Sequence, residues 1–131
     1  MIAFLWQLCY NCVMDIHELG RLGEKEAVRY LKKNKYKILE RDLRIHSGEV
    51  DIVALWQSYI VFIEVKTRSH FHPDYIPRAA VDVERQRRYR AIAHEYCKSH
   101  RITDLGIRFD IIEVIYFDKK TPTVNHLIAA F

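Results

Sequence analysis

The stretch IVFIEVKTR, residues 60–68, decides the fold because it begins as a buried strand and then places charges on that strand. Four apolar residues stand in succession before Glu64, and β-branched and aromatic residues of this kind favour strands. Side chains two residues apart on a strand share one face, so Glu64 and Lys66 point the same way. The stretch therefore predicts an interior strand that carries a carboxylate and an ammonium group.

The segments on either side of this strand predict a small α/β domain. Their apolar periodicities are those of helices and strands: helix 16–33, strands 36–45 and 49–55, helix 80–99, strand 107–117 and a short last strand in 123–130. The turn WQSY joins the second strand to the third as a hairpin. We expect the order α-β-β-β-α-β with a small terminal addition, and a central mixed sheet flanked by the two helices.

The second helix combines an apolar side with a basic surface. Its apolar side is predicted to hold Val83, Tyr89, Ala93, Tyr96 and Cys97, with Gln86 on the same side. Between positions 78 and 101, seven basic residues accompany three acidic ones, an excess equal to the net charge of +4 for the whole chain. A local basic segment favours polyanions, because cations near phosphates release condensed counterions. A solvated helix face is the alternative.

Length and composition predict one domain preceded by an apolar extension. The chain has 131 residues, half of them hydrophobic and 29% charged, which excludes a disordered or low-complexity protein. Residues 1–14 carry no charge but are shorter than the roughly 20 residues of a membrane span, so we expect no membrane association. We predict a single domain at 15–131, with translation from Met14 as an alternative start. The aromatic residues Phe4, Trp6 and Tyr10 leave a protein-interaction role open.

The three cysteines predict a reducing, cytoplasmic setting, because their number is odd and no signal peptide is evident. Cys9 and Cys12 have the spacing of half a zinc site, but no second pair follows. His70 and His72 lie in a proline-containing segment and are interpreted as exposed loop residues.

A cluster of acidic residues is the candidate for chemistry. Glu49 and Asp51 share a face of the second strand, and hairpin pairing would bring Asp51 close to Glu64. Carboxylates beside apolar neighbours need compensation, either from Lys66 in a structural ion pair or from a divalent cation. Mg²⁺ or Mn²⁺ bound there could activate water for attack on a phosphodiester, assisted by Lys66. On the first helix, Glu24 lies at the edge of the apolar stripe and points either into a crevice or to solvent.

Several motifs in order resemble the YraN family of small, uncharacterised bacterial proteins: GRLGEKEAVRYL, GEVDIVAL, VFIEVKTRS, RFDIIEV and HLIAAF. The resemblance covers residues 15–131. It implies the restriction-endonuclease-like fold of the PD-(D/E)XK nuclease superfamily and similarity to archaeal Holliday junction resolvases. Three residues depart from the pattern: Val50 replaces a proline of the superfamily, Asp42 a common asparagine and Arg85 a common lysine.

The resemblance assigns roles by position. Asp51 matches the metal-binding aspartate, and Glu64 and Lys66 match the acid-x-lysine pair. Glu24 looks like the glutamate that completes the metal site, and Glu49 belongs to a GE-x-D signature that would replace or assist it. The main-chain carbonyl of Val65 is a further predicted ligand.

We therefore predict a Mg²⁺-dependent endonuclease that hydrolyses phosphodiester bonds in DNA, including branched or distorted DNA. Its predicted catalytic residues are Asp51, Glu64 and Lys66. Contacts to the nucleic-acid backbone, which carry no base information, are predicted for Arg68, Arg85, Gln86, Arg87, Arg88 and Arg90. Analogy with resolvases suggests a homodimer. The alternative is a nucleic-acid-binding module whose acidic cluster is structural or vestigial.

Overall fold

The computed structural model describes residues 16–69, 82–117 and 121–131. Two helices and five strands follow one another as α1 (Ile16–Lys33), β1 (Lys37–Ile45), β2 (Gly48–Trp56), β3 (Tyr59–Ser69), α2 (Val83–Ser99), β4 (Gly106–Tyr116) and β5 (Pro122–Leu127). This order confirms the predicted α/β fold. The N-terminal extension with its aromatic residues, the Cys9 and Cys12 pair, and His70 and His72 lie outside the described residues.

The strands form one mixed sheet in the order β1-β2-β3-β4-β5. Neighbouring strands are antiparallel except β3 and β4, which are parallel and are connected through α2. The central strand β3 is therefore covered on both faces. This explains the apolar run IVFI, because Ile60, Val61, Phe62 and Ile63 are all fully buried, each contributing roughly 1.5–3 kcal/mol.

The two helices cover opposite faces of the sheet. On one face, Ala27 and Leu31 of α1 pack with Ile63 and other residues of the strands. On the other face, Tyr89 and Ile92 of α2 pack with a second cluster of strand residues. Neither described helix has the length and apolar character that a membrane span needs.

Helix α1 has the predicted bounds, and hydrogen bonds from the residues after Lys33 end it. Lys35 adopts a positive φ of 70°, and the N–H of Tyr36 donates to the carbonyl of Leu31 at 3.0 Å. The Asn34 side chain donates to the carbonyl of Tyr30 at 2.8 Å. These bonds satisfy carbonyls that the end of a helix leaves open.

Helix α2 begins later than the predicted residue 80. Asp82 is extended, with φ −70° and ψ 164°, and its carboxylate accepts from the N–H of Arg85 at 2.8 Å, which makes it an N-cap. Residues 80–81 lie outside the described part of the chain. The placement of Val83 on the apolar side was wrong: it is 69% exposed, because the first turn stands clear of the apolar cluster, which begins on this helix at Tyr89 and includes Ile92.

Two positions of positive φ shape the first three strands. Gln57 has φ 51° in the turn between Trp56 and Tyr59, which pair directly, so the predicted hairpin forms without glycine. Asp42 has φ 50° within β1. Aspartate and asparagine are the residues that tolerate this left-handed conformation best after glycine, so aspartate suits this position.

Candidate active site

The candidate site lies where β2 and β3 separate. Their antiparallel ladder ends at the pair Ile52 and Ile63, and the next two residues, Asp51 and Glu64, face each other beyond it. The N–H of Val65 donates to Oδ2 of Asp51 at 2.8 Å, so this carboxylate takes the place of a strand partner. Hairpin pairing thus brings the two carboxylates together, as the sequence predicts.

A crevice of about 400 Å³ opens at this separation. Residues from the start of β2, from β3 and from the first half of α2 line it: Gly48, Glu49, Asp51, Glu64, Arg85, Arg88, Tyr89 and Ile92. Carboxylates therefore face arginines across a small, partly enclosed space. Such a space can accept a cation beside the strands and an anion beside the helix.

Glu64 is held by two residues of α2. Its Oε1 accepts from Nη1 of Arg85 at 2.5 Å, and its Oε2 accepts from the hydroxyl of Tyr89. The Glu64 side chain is 10% exposed, whereas that of Arg85 is 42% exposed. One prediction from the sequence was an ion pair in which Lys66 compensates the charge of the carboxylates. In the structure, Arg85 and Tyr89 are the residues that donate to Glu64.

Asp51 is the titratable group most suited to chemistry at neutral pH. Burial raises its pKa from 3.8 to about 7, with the charge of Glu64 as the next cause and a smaller contribution from Glu24. The Val65 N–H and the Arg85 guanidinium lower the pKa but do not cancel the rise. Near pH 7 the carboxyl group therefore exchanges a proton readily, and a bound cation would stabilise its ionised form.

Glu24 reaches the same region because α1 packs closely against β3. A Cβ atom at Gly23 would lie 1.8 Å from Oγ1 of Thr67, so only glycine permits this approach. Burial raises the pKa of Glu24, and the charges of Asp42 and Glu64 raise it further. Glu24 is thus half-buried and close enough to Asp51 and Glu64 to affect their charges, but it is not among the residues that line the crevice.

The remaining predicted ligands and the lysine occupy different positions. Glu49 lines the crevice with an exposed side chain. The N–H of Val65 is used by Asp51, and a role for its carbonyl stays a prediction. Lys66 is half-buried on β3, in register with Glu113 of β4. Glu113 is fully buried. It lies within the motif RFDIIEV, but no sequence pattern indicated its position beside Lys66, which depends on the parallel register of β3 and β4.

The structure separates the four predicted arginines of α2 into two groups. Arg85 and Arg88 line the crevice. Arg87 pairs with Glu84 at 3.5 Å on the exposed side, and Arg90 lies over the rings of Phe109 and Phe131. Because successive residues turn by about 100°, neighbouring arginines cannot all face one site.

The other two predicted backbone contacts, Arg68 and Gln86, are half-buried. The Nε atom of Arg68 is buried and has no hydrogen-bond partner within the part of the chain that the structure describes. Arg68 lies on β3 two residues beyond Lys66, so alternation along the strand puts it on the face of Glu64. Its contact to nucleic acid stays a prediction.

The donor set fits a hard divalent cation held by two carboxylates. Among the described residues, no three His, Cys, Asp or Glu side chains lie together closely enough to enclose a metal ion. Mg²⁺ does not require three, because it commonly takes one or two protein carboxylates and completes its shell with water and phosphate oxygens. Asp51 and Glu64 could supply these oxygens, and Glu49 lines the same crevice.

A second buried carboxylate, Asp110, belongs to a separate network. It accepts from Nε and Nη2 of Arg108 at 2.9 and 2.8 Å, from Nε2 of His126 at 2.7 Å and from the N–H of Ala129 at 3.0 Å. Arg108 also donates to the hydroxyl of Tyr36 at 2.7 Å. Burial alone would raise the pKa of Asp110, but these bonds outweigh it and lower the pKa. The motifs RFDIIEV and HLIAAF meet in this network.

Comparison with known proteins identifies relatives of the whole domain. The model of the uncharacterised protein family UPF0102 matches residues 23–114. A UPF0102 protein of Acetivibrio thermocellus is 45% identical over 107 residues, covering 81% of each chain. Another, from Caldanaerobacter subterraneus, is 42% identical over 115 residues, covering 86% of this chain and 93% of the relative. A third, from Clostridioides difficile, is 37% identical over 118 residues, or 90% of this chain and the full length of the relative. The chain therefore belongs to the uncharacterised family UPF0102, which is the YraN family that its motifs predicted.

Proposed function

We propose that this protein is a Mg²⁺-dependent endonuclease that hydrolyses phosphodiester bonds in DNA. One observation carries the proposal: Asp51 and Glu64 face each other where β2 and β3 separate, opposite Arg85 and Arg88. The carboxylates are suited to a divalent cation, and the arginines are suited to a phosphate. Both binding partners would meet in one crevice of about 400 Å³.

Each group has a part that follows from its surroundings. Asp51 and Glu64 would hold the cation, and the cation would supply polarisation of a phosphoryl oxygen and a lowered pKa of bound water. Asp51, with a pKa of about 7, would be about half protonated at neutral pH, and a bound cation would favour its ionised form. Arg88 neutralises a phosphate at the mouth of the crevice without reading bases.

Arg85 connects the two binding events. Both oxygens of Glu64 accept hydrogen bonds from α2, so a cation at Glu64 would compete with the Arg85 guanidinium for Oε1. The Arg85 side chain is 42% exposed and can turn toward solvent, whereas Tyr89 is buried. A withdrawn Arg85 is free to pair with a phosphate. Substrate and cation would therefore favour each other's binding.

Lys66 would act from the strand that carries Glu64. Residues two apart are separated by roughly 6.6 Å along a strand and share a face, so the long side chain can extend toward a phosphate bound at Glu64. Its ammonium would stabilise charge that develops on the attacked phosphate. Glu113 lies in register beside Lys66 on β4.

Cleavage of end-labelled DNA tests the proposal. Junction, flap, duplex and single-stranded substrates are incubated with Mg²⁺ or Mn²⁺ and the wild-type protein, Asp51→Asn or Lys66→Ala. We expect cation-dependent cutting of at least one substrate, reduced by about 100-fold or more in either variant. Lys98→Ala, which removes an exposed lysine at the end of α2, should cut like the wild type. Equal cutting by Lys66→Ala would contradict the catalytic assignment.

A nucleic-acid-binding module without catalysis is the second candidate. Two observations favour it: no three-ligand metal group exists among the described residues, and Glu64 is already compensated by Arg85. In that case DNA binding would persist in EDTA and in Lys66→Ala, and no substrate would be cut. Calorimetric titration with Mn²⁺ separates the candidates, because only the nuclease requires a site that Asp51→Asn removes.

A further inference from the structure

We propose that a groove along the free edge of β1 is a second contact surface for the nucleic-acid backbone. This inference rests on the proposed function, because it extends the footprint of the same substrate. The groove has a volume of about 580 Å³ and lies between the end of α1 and β1. Lys32, Lys37 and Arg41 line it, together with Glu40 and apolar residues.

The local charge around the groove is strongly positive. Positions 32–39 contain four lysines and no acidic residue, and all four lysine side chains are exposed: Lys32, Lys33, Lys35 and Lys37. Within the described residues none of the four forms a salt bridge. Glu40 does not pair with them either, since its Oε1 accepts from the hydroxyl of Tyr96 at 3.3 Å. Unpaired cations beside a groove are available to a polyanion.

One residue of the groove lies near the acidic cluster. Arg41 pairs with Ile52, which is the neighbour of Asp51 on β2. Its guanidinium is also close enough to Glu24 to oppose the rise that burial and Asp42 impose on the pKa of that carboxyl group. Lys37 lies four residues back, but because of the bulge between Ile38 and Glu40 it is only three ladder positions away, a distance of about 10 Å along the strand. Duplex DNA presents several phosphates over such a length.

A nucleic-acid strand leaving the crevice would therefore meet cations on both sides. The α2 side supplies Arg85 and Arg88, and the β1 side supplies Arg41, Lys37 and Lys32. The alternative use of these lysines is protection of an exposed edge strand, since lysine on an edge discourages pairing with another chain. Only contact with nucleic acid would make these lysines contribute to the salt dependence of DNA affinity.

Salt titration of DNA binding tests the groove. The probe is a fluorescein-labelled 20-base-pair duplex in EDTA, with anisotropy measured from 50 to 300 mM KCl. The groove variant is Lys32→Gln with Lys37→Gln, and the matched control is Lys33→Gln with Lys35→Gln, which removes the same charge from the same segment outside the groove lining. We expect the slope of log affinity against log salt to fall in magnitude by about 2 in the groove variant, and by clearly less in the control. Thermal melts check that both variants fold.

The outcomes distinguish this inference from the proposed function. Equal slope changes in the two lysine pairs would overturn the groove and leave a diffuse charge effect. An unchanged slope in the groove variant, with a reduced slope in Arg88→Gln, would overturn the groove while the crevice stands. Absence of duplex binding by the wild-type protein in EDTA would overturn the groove, whereas the proposed function is decided separately by the cleavage assay in Mg²⁺ or Mn²⁺.

Discussion

Asp110 and Asp51 are aspartates on two strands of one sheet, yet their pKa values move in opposite directions. Asp110 receives donors from Arg108, His126 and Ala129, which together lower its pKa despite complete burial. Asp51 receives one backbone N–H and faces another carboxylate, so burial raises its pKa to about 7. A carboxylate with saturated hydrogen bonding stabilises the fold. One left incompletely compensated is available to a ligand.

The largest expected effect comes from removing the saturated carboxylate. Asp110→Ala would leave Arg108 and His126 nearly buried without their partner, which should cost about 3–5 kcal/mol of the free energy of unfolding. Urea denaturation measures this loss. Asp104→Ala, at an exposed position before β4, is the control and should change stability by less than about 0.5 kcal/mol. A comparable loss of stability in both variants would contradict the stabilising role of the Asp110 hydrogen bonds.

The next effect concerns the close packing that brings Glu24 near the crevice. Gly23→Ala places a methyl group against Thr67, and this overpacking should destabilise the protein by roughly 2–3 kcal/mol. Gly20→Ala is the matched control in the same helix, since a Cβ there meets open space. It should instead stabilise the protein by about 0.5–1 kcal/mol. The same sign for both substitutions would refute the close approach of α1.

Asp51→Asn should stabilise the metal-free protein at alkaline pH. The folded-state pKa of Asp51 lies above its unfolded value of 3.8, so folding is favoured below pH 4 and this contribution is lost as pH rises through 7. Asparagine does not ionise, so the variant does not lose this contribution to the free energy of unfolding. We expect a gain of roughly 2 kcal/mol at pH 8, below the full value of the pKa shift because the site is partly open to solvent. Urea unfolding in EDTA at pH 4 and pH 8 measures it.

The gain should vanish at pH 4, where the wild-type carboxyl group is already neutral. Asp104→Asn is the matched control at an exposed position and should change the free energy of unfolding by less than about 0.5 kcal/mol. A gain of equal size at both values of pH would mean that packing, and not titration, separates Asp51 from Asp110.

The smallest expected effect is on the pKa of Asp51 itself. Glu64→Gln removes the largest unfavourable charge near Asp51 and should lower its pKa by about 1 unit. Glu24→Gln should lower it by less, because Glu24 contributes less to the shift. Carbon-13 NMR titration of the aspartate carboxyl groups in EDTA reports both values. A larger effect from Glu24→Gln would reverse the proposed arrangement of charges.

Much of the fold could be predicted because its signals are local. Apolar residues at helical spacing set α1, and the apolar run before Glu64 set β3 as the central strand. The start of α2 was placed too early because an N-cap depends on the conformation of Asp82, which periodicity does not report. The exposed position of Val83 follows from the same error.

The candidate site could be predicted only in outline. Hairpin geometry by itself brings Asp51 opposite Glu64, since antiparallel partners share a face. The partners of Glu64 could not be found in this way. Arg85 and Tyr89 lie on α2, the helix that connects β3 to β4, and reach Glu64 only when this helix packs on the sheet. The same limitation hid Glu113, whose position beside Lys66 depends on the parallel register of β3 and β4.

The sequence by itself therefore determined the elements, their order, the family and the pair of carboxylates at the hairpin end. The tertiary structure alone decided which carboxylate is saturated with donors, which has a raised pKa and which arginines face the crevice. The physical reason is one of range: backbone periodicity acts over a few residues, whereas burial and Coulomb interactions depend on groups that the fold brings together from distant parts of the chain.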